Sequence, residues 1–353
     1  MAGIDLMRPL EKQRAERFNG FCTVVAALLL WAVWSEKGSA FDAAPNRSIS
    51  VVVGFSPGGA YDLYARVLAK YMGKHLPGKP TLVVENMPGA GGLKAANYLY
   101  QVAPKDGSAL GTFARGVVIG PLFGQGAFDG TKFSWIGSVT DDVNVCLSWH
   151  TSQVRSWNDL MTKPFTVAGQ GPQADPNVYA NLVKNVFNAP INIVSGYPGS
   201  NEIALAMERG EVDGVCALSY STARTTLAEK IKKADIDIIF QAGLKKAPEL
   251  PDVPLLLDLA RDDKQRAILK LVMGVQGMAR PFVAPPGLPQ VRTKELRTAF
   301  AETMSDPDFV AEAKRLNLEV NPASGEEVEA LVADLYRTPR DVVEQAQRAI
   351  TEH

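Results

Sequence analysis

The hydrophobic pattern of this chain changes period repeatedly, and the changes fall at glycine and proline. Residues 49–55 (ISVVVGF) form a short β-branched run closed by Pro57 and Gly58, which reads as a buried strand. From 62 to 75, Leu63, Val67, Leu68, Tyr71 and Met72 share one stripe, the signature of an amphipathic helix. Residues 81–85 read as a second strand, 88–92 as a second glycine turn, 93–102 as a second helix and 109–113 as a third strand. Alternation at this spacing predicts parallel strands with helices over both faces.

The pattern restarts after the glycine-rich stretch 120–130. Strands are predicted over 133–139, 143–149, 165–168, 191–194, 212–217 and 236–241, with helices over 176–187 and 200–209. Residues 247–254 carry Pro248, Pro251 and Pro254 and read as an extended, stiff connector. Residues 281–284 return to strand. The tail from 289 onward is helical, broken at Asp306-Pro307 and Asn321-Pro322. Two α/β units with a helical tail describe the whole, and 353 residues suffice for two lobes with separate apolar cores.

The first 40 residues stand outside that pattern. Arg8, Lys12, Arg14 and Arg17 precede an apolar run of 14 residues (21–34), and Gly38-Ser39-Ala40 offers the small residues read by a signal peptidase. As helix, that run reaches only about 21 Å, short of a hydrocarbon core of roughly 30 Å. Residues 1–40 are therefore expected to be a signal peptide cleaved after Ala40, giving a periplasmic protein. Cys22 opens the apolar run rather than following it, which excludes it as a lipoprotein acceptor.

Charge and composition narrow the function. The formal charge of −1, with Lys and Arg dispersed, argues against a nucleic-acid or membrane-surface partner. Past residue 40 the chain has two cysteines, Cys146 and Cys216, compatible in an oxidising compartment with a disulfide or with two buried thiols. Two cysteines and the dispersed His75, His150 and His353 make no metal-ligand cluster, so neither metal nor cofactor is expected.

The sharpest local feature is the segment 54–62, Gly-Phe-Ser-Pro-Gly-Gly-Ala-Tyr-Asp, between strand and helix. A glycine turn there leaves the first N–H groups of the helix unpaired around a common point, where the helix dipole attracts an anion. Asp62 falls in the first turn and steadies it. The same residues match the Gly-x-Ser-x-Gly nucleophile elbow, but the oxyanion hole there needs the N–H after the serine, and Pro57 has none. Ala60-Tyr61 stands where a phosphate-binding loop needs Lys and Ser/Thr. A second glycine turn, 88–92, opens a helix after a strand in the same way, and the second half offers Gly169-Gln170-Gly171 and the turn Gly196-Tyr197-Pro198-Gly199 before Ser200. Glycine turns in both halves suit a cleft that closes on a small anion.

Phe55-Ser-Pro-Gly-Gly-x-x-Asp62, Val84-Glu-Asn-Met-Pro-Gly-Ala-Gly-Gly92, Ala103-Pro-Lys-Asp-Gly107, Gly196-Tyr-Pro-Gly-Ser-Asn-Glu202, Gly210-Glu-Val-Asp-Gly214 and Phe282-Val-Ala-Pro-Pro-Gly-Leu-Pro289 together resemble the substrate-binding proteins of tripartite tricarboxylate transporters. The resemblance spans nearly all of the chain after the leader. It implies the type II periplasmic binding protein (Venus-flytrap) fold, with one lobe from residues 41–140 and 243–353 and the other from 141–242. It implies a small di- or tricarboxylate held largely by backbone N–H groups and waters. By resemblance the site comprises Phe55, Ser56, Gly58, Gly59, Ala60, Tyr61, Asp62, Ala90 and Gly91, faced by Gly169, Gln170, Gly171, Tyr197, Pro198 and Gly199. The chain departs from the usual pattern where Ala60-Tyr61 replaces glycine and threonine, where Asp175-Pro176 replaces a histidine, and where Ala217 replaces an acidic residue.

The function so implied is binding without chemistry by a monomer, with delivery to a membrane permease. A receptor feeding a sensor kinase is the alternative, and a hydrolase or lyase on the same scaffold is a more distant one.

Overall fold

The structure, a computed structural model, describes residues 48–171, 174–197 and 199–351. The leader, its cleavage site and Pro198 lie outside the described residues. Among the described residues no helix is long and apolar enough to cross a membrane.

Two sheets carry the fold. The first has the order β11-β4-β10-β3-β1-β2, built from β1 (Ile49–Val53), β2 (Leu82–Asn86), β3 (Ala109–Thr112), β4 (Ser134–Ser138), β10 (Pro281–Ala284) and β11 (Ala323–Ser324). The second, β7-β6-β8-β5-β9, comprises β5 (Asn144–Trp149), β6 (Phe165–Ala168), β7 (Ile191–Val194), β8 (Gly214–Ser219) and β9 (Ile236–Ala242). The helices are α1 (Ala60–Met72), α2 (Leu93–Gln101), α3 (Trp157–Leu160), α4 (Asp175–Phe187), α5 (Ser200–Glu208), α6 (Tyr220–Thr226), α7 (Ala228–Lys232), α8 (Asp263–Gly274), α9 (Gln290–Met304), α10 (Pro307–Arg315), α11 (Gly325–Tyr336) and α12 (Arg340–Thr351).

The period-2 pattern of β1 serves both faces of its sheet. Ile49, Val51 and Val53 enter one core with Leu68, Phe282 and Phe300, while Val52 enters another with Leu99, Phe113 and Trp135. Three features differ from the sequence expectation. Parallel pairing holds for β1 with β2 and β3, and for β6 with β7 and β8, but β10 and β11 enter the first sheet antiparallel, as β5 does the second. The chain crosses from one sheet to the other between β4 and β5 and again before β10, so neither β5 nor β10 follows its sheet neighbour through a strand–helix–strand unit within one sheet, the unit that enforces parallel pairing. Nor are the apolar cores separate. One cluster runs from Trp135 through Leu335 and Val343 to Phe165 and Phe240, because the tail helices bury against both halves. On α4, Asn181 Nδ2 and Asn185 Nδ2 donate to Ile350 O (3.3 Å) and Ala349 O (2.9 Å) of α12.

The connector at 247–254 is not extended. It turns around the buried Gln241, whose Nε2 donates to Leu250 O (2.8 Å) and Val253 O (2.9 Å) and whose Oε1 accepts from Ala247 N (2.6 Å). Burying that amide with its donors and acceptor satisfied favours the turns over a rod. Cys146 on β5 and Cys216 on β8, neighbouring strands, form a disulfide.

Candidate functional site

Strand direction decides which loops meet. β10 is antiparallel to both β3 and β4, so β1 to β4 run the same way and their C-terminal ends share one edge with the start of β10. In the second sheet, by the same argument, the C-terminal ends of β6, β7, β8 and β9 share an edge with the start of β5. The crossing segments pair next to these edges: Ala279 N donates to Thr140 O (3.0 Å) and Val139 N to Arg280 O (3.1 Å).

On the first edge, glycine backbones bring three loops together. A Cβ on Gly54 would lie 2.8 Å from Gly92 Cα, and one on Gly92, which has φ +97°, would lie 2.9 Å from Phe113 Cβ. Only hydrogen in both places lets the loops after β1, β2 and β3 touch. Gly59 begins α1 without any side-chain cap, which leaves the N–H groups of the first turn without a side-chain acceptor. Ser56 to Ala60 are exposed, as are Ala90 and Gly91.

Asp62 braces this loop from inside. Its Oδ2 accepts from Gly58 N (2.9 Å) and Arg66 Nε (2.8 Å), and its Oδ1 from Asn86 Nδ2 (2.8 Å). Asn86 Nδ2 also donates to Phe55 O (2.9 Å), tying the loop to the end of β2. Burial pushes the Asp62 carboxyl up, but the bonds from Arg66, Gly58 and Asn86 outweigh it and hold the pKa at about 2. Asp62 is therefore a charged structural brace, and the Gly58 N–H is turned inward to it.

Tyr61 points inward. Its hydroxyl accepts from Arg115 N (3.2 Å) and donates to Ala279 O (3.2 Å), and its ring stacks on Phe55 with centroids 4.6 Å apart. The larger residue at this position thus joins the loop after β1 to the loop after β3 and to the crossing segment.

In the second half the glycine turns are held by Asn177. Its Oδ1 accepts from Gly171 N (2.9 Å) and its Nδ2 donates to Ser195 Oγ (2.7 Å), while Gly169 O accepts from the N–H groups of Gly196 and Tyr197 (3.1 Å each). Gly169 is buried, and Gln170, Gly171, Tyr197 and Gly199 are half-buried. Among the described residues no hydrogen bond joins these turns to residues 55–62 or 90–91.

Direct contact between the two edges runs instead through Arg115, just after β3. Its guanidinium donates to Asp175 Oδ2 (3.1 Å) at the start of α4 and to Asn144 Oδ1 (3.4 Å) at the start of β5. Burial alone would lower its pKa, but the Asp175 carboxylate outweighs that and the pKa is raised. The Arg280 guanidinium lies 4.7 Å from the Tyr61 ring centroid and 5.4 Å from that of Tyr64. Neither arginine stands out in the sequence. Asp175-Pro176 was noted only as a departure from the resembled pattern; a lone arginine after a strand and another before one carry no motif.

The two described histidines are engaged elsewhere. His75 Nε2 lies 2.9 Å from Asp306 Oδ2, and His150 packs on Trp149. Neither His75 nor His150 is a hydrogen-bonding partner of Ser56, and among the described residues no group of three metal-ligating side chains gathers. A groove beside the crossing segments, lined by Asp141, Lys245, Asn321 and Glu327, is internally paired: Asp141 accepts from Lys245 Nζ (2.9 Å) and Asn321 Nδ2 (2.5 Å).

No protein-family model matches the chain. Among curated proteins it is 24% identical over 335 residues to a UPF0065 protein of Pseudomonas sp. strain P51, covering 90% of each chain, and 24% identical over 344 residues to one of Cupriavidus necator, covering 92% of this chain and 95% of that one. Among solved structures it is similar to a TctC solute-binding protein from Polaromonas (18% identity, TM-score 0.67, covering 86% of this chain and 99% of that one). It is similar also to the periplasmic binding protein BugD (23%, TM-score 0.59, 87% and 98%) and to MatC of Rhodopseudomonas palustris with bound malate (20%, TM-score 0.55, 86% and 99%). The first two of these structural neighbours are solute-binding or periplasmic binding proteins. The chain has the type II periplasmic binding protein fold, and its structural neighbours are tricarboxylate-type binding proteins of the TctC and Bug kind.

Proposed function

We propose that this chain is an exported receptor that binds a small organic acid between the two sheet edges and presents it to a tripartite tricarboxylate-type permease. The observation that carries the reading is the uncapped start of α1 at Gly59, held open by the buried Asp62 brace and packed by glycine against the loops after β2 and β3. A carboxylate there replaces the missing cap and meets the positive end of the helix. Ser56, Gly59, Ala60, Tyr61, Ala90 and Gly91 line that place, with Phe55 as the platform behind Tyr61. Gly169 to Gly171, Tyr197 and Gly199 close over it from the second sheet. On this reading residues 41–140 and 243–353 form one lobe and 141–242 the other. The bound acid favours the closed arrangement to the extent that it touches both lobes. The malate bound to MatC fits the ligand class.

The test is a thermal-shift and calorimetric survey of the purified protein against malate, succinate, citrate and other di- and tricarboxylates. A ligand at 100 times its Kd stabilises the native state by about 2.7 kcal/mol, so at least one member should raise the melting temperature clearly. Gly59→Val tests the site. Gly59 has φ −80°, and the atom nearest an added Cβ is Ser56 O at 3.9 Å, so the fold tolerates the change. The isopropyl group then covers the helix start and binding is lost. A flat response across the panel, or unchanged affinity in Gly59→Val, overturns the reading.

A further inference from the structure

Arg280 is held in a position that its local contacts do not use up. It directly precedes β10, on the edge where β1 to β4 end, and its backbone is fixed on both sides: its N donates to Ser138 Oγ (3.1 Å) and its O accepts from Val139 N (3.1 Å). Its guanidinium lies over Tyr61, in the first turn of α1, and over Tyr64 one turn on. Nη1 donates to Ala279 O (2.8 Å), whereas Nε is buried without a partner. No carboxylate reaches ion-pair distance of Arg280 among the described residues.

The acids around it are committed elsewhere. Asp62 is held by Arg66, Gly58 and Asn86; Asp142 accepts from Val143 N (2.9 Å), Ser221 Oγ (3.0 Å) and Ser219 Oγ; Glu319 pairs with Arg224 (3.2 Å). Arg115, the other guanidinium flanking Tyr61, has Asp175 as its counter-ion. A half-buried cation with an unmatched N–H is costly to keep. A chain keeps one where an incoming anion supplies the match.

We propose that Arg280 is a specificity-determining residue that receives a second acidic group of the ligand, so that the site selects an organic dianion. One carboxylate lies on the start of α1 and the other on the Arg280 guanidinium, with Tyr61 as the wall between them. This rests on the carboxylate-receptor reading above and adds to it the residue that counts the ligand's charges. Tyr61 then has a reason to be large: its ring carries Arg280, and its hydroxyl, bound at both Arg115 N and Ala279 O, keeps that ring from turning away.

The experiment compares each diacid with its own monoamide, using malate and succinate as probes, by calorimetry on the wild-type protein and on Arg280→Gln and Arg280→Lys. The wild type should prefer a diacid over its monoamide by about thirtyfold or more, the usual scale for one desolvated charge pair. Arg280→Gln should erase that preference while changing monoamide affinity by no more than roughly threefold, as an uncharged contact would. Arg280→Lys should restore part of it. If Arg280 only props the two tyrosines, Arg280→Gln weakens diacid and monoamide alike and keeps the preference, which overturns the proposal. Should Arg280→Gln fail to fold, Arg280→Lys carries the test, since a mere prop without ligand contact leaves the diacid preference at its wild-type value. A wild type that binds both members of a pair equally also overturns the proposal but leaves the receptor reading standing. A wild type that binds neither, nor anything else in the wider panel, overturns that reading and this one with it.

Discussion

Replacing Asp62 by Asn removes one charge from the brace of the first glycine loop and changes almost nothing in volume. The wild-type carboxylate is 3% exposed and accepts from a guanidinium, a backbone N–H and an amide. Its pKa falls from 3.8 to about 2, although burial by itself raises it. At 1.36 kcal/mol per pH unit the difference corresponds to about 2 kcal/mol of native stability at neutral pH, somewhat less after screening at the rim of the loop. Because the native pKa is the lower one, the contribution is complete above the unfolded value near 3.8 and drains away as pH falls through about 2.

Urea melts of wild type and Asp62→Asn at pH 7 and at pH 2.5 measure this directly. With an m-value of about 3 kcal/mol/M, the pH 7 midpoints should differ by about 0.7 M. At pH 2.5 only about a third of the free-energy gap should remain. Asp159 and Asp306 also titrate at about 2, but both are present in both proteins and cancel in the comparison. A gap as wide at pH 2.5 as at pH 7 would mean that the loss comes from shape or local hydrogen bonding and not from the charge, and the electrostatic account of the brace would have to be given up. The Asn side chain still accepts from Gly58 N but offers Arg66 no counter-charge, so ligand affinity should fall along with stability.

Gly92→Ala puts a methyl group 2.9 Å from Phe113 Cβ at φ +97°, and should cost about 2–4 kcal/mol in a urea melt and abolish carboxylate binding in calorimetry. Replacing Cys146 and Cys216 together by Ser opens a loop spanning 70 positions and should lower unfolding stability by up to about 4 kcal/mol, with reductant lowering the wild type toward the same value and leaving the variant unchanged.

Much of the fold was legible because its signals are local. Strands 165–168, 191–194 and 281–284 match β6, β7 and β10 residue for residue, since each is a short apolar run bounded by glycine, proline or asparagine. The helix start at Ser200 matches the expectation, whereas α1 begins at Ala60, two residues before the predicted Asp62, because the glycine turn passes directly into the helix. Predicted strand 212–217 falls two residues early, because Val212 is buried without belonging to the ladder of β8. Helix α8 went unread, and the connector around Gln241 was misread, because what shapes that connector is a side chain that must find three partners across a turn. The pairing direction of β10 was hidden for a similar reason: it depends on where the chain re-enters the sheet.

The same distinction explains the site. The backbone anion site proposed at Gly59 is written in consecutive residues, because the turn and the helix that would make it are contiguous, so that loop announces itself. A charge that completes such a site has no such constraint. Arg280 is over two hundred positions from Tyr61, and it arrives there only because β10 lies antiparallel to β3 and β4 and so brings its first residues to the edge where they end. Tyr61 was the one visible hint. An aromatic residue in place of a small one at the second position of α1 must pack on something, and the loop itself supplies only one side of that packing. What it meets is Phe55 on one side and an unneutralised guanidinium on another. The substitution that made the loop unusual in sequence is thus the residue that brings the distant charge to it.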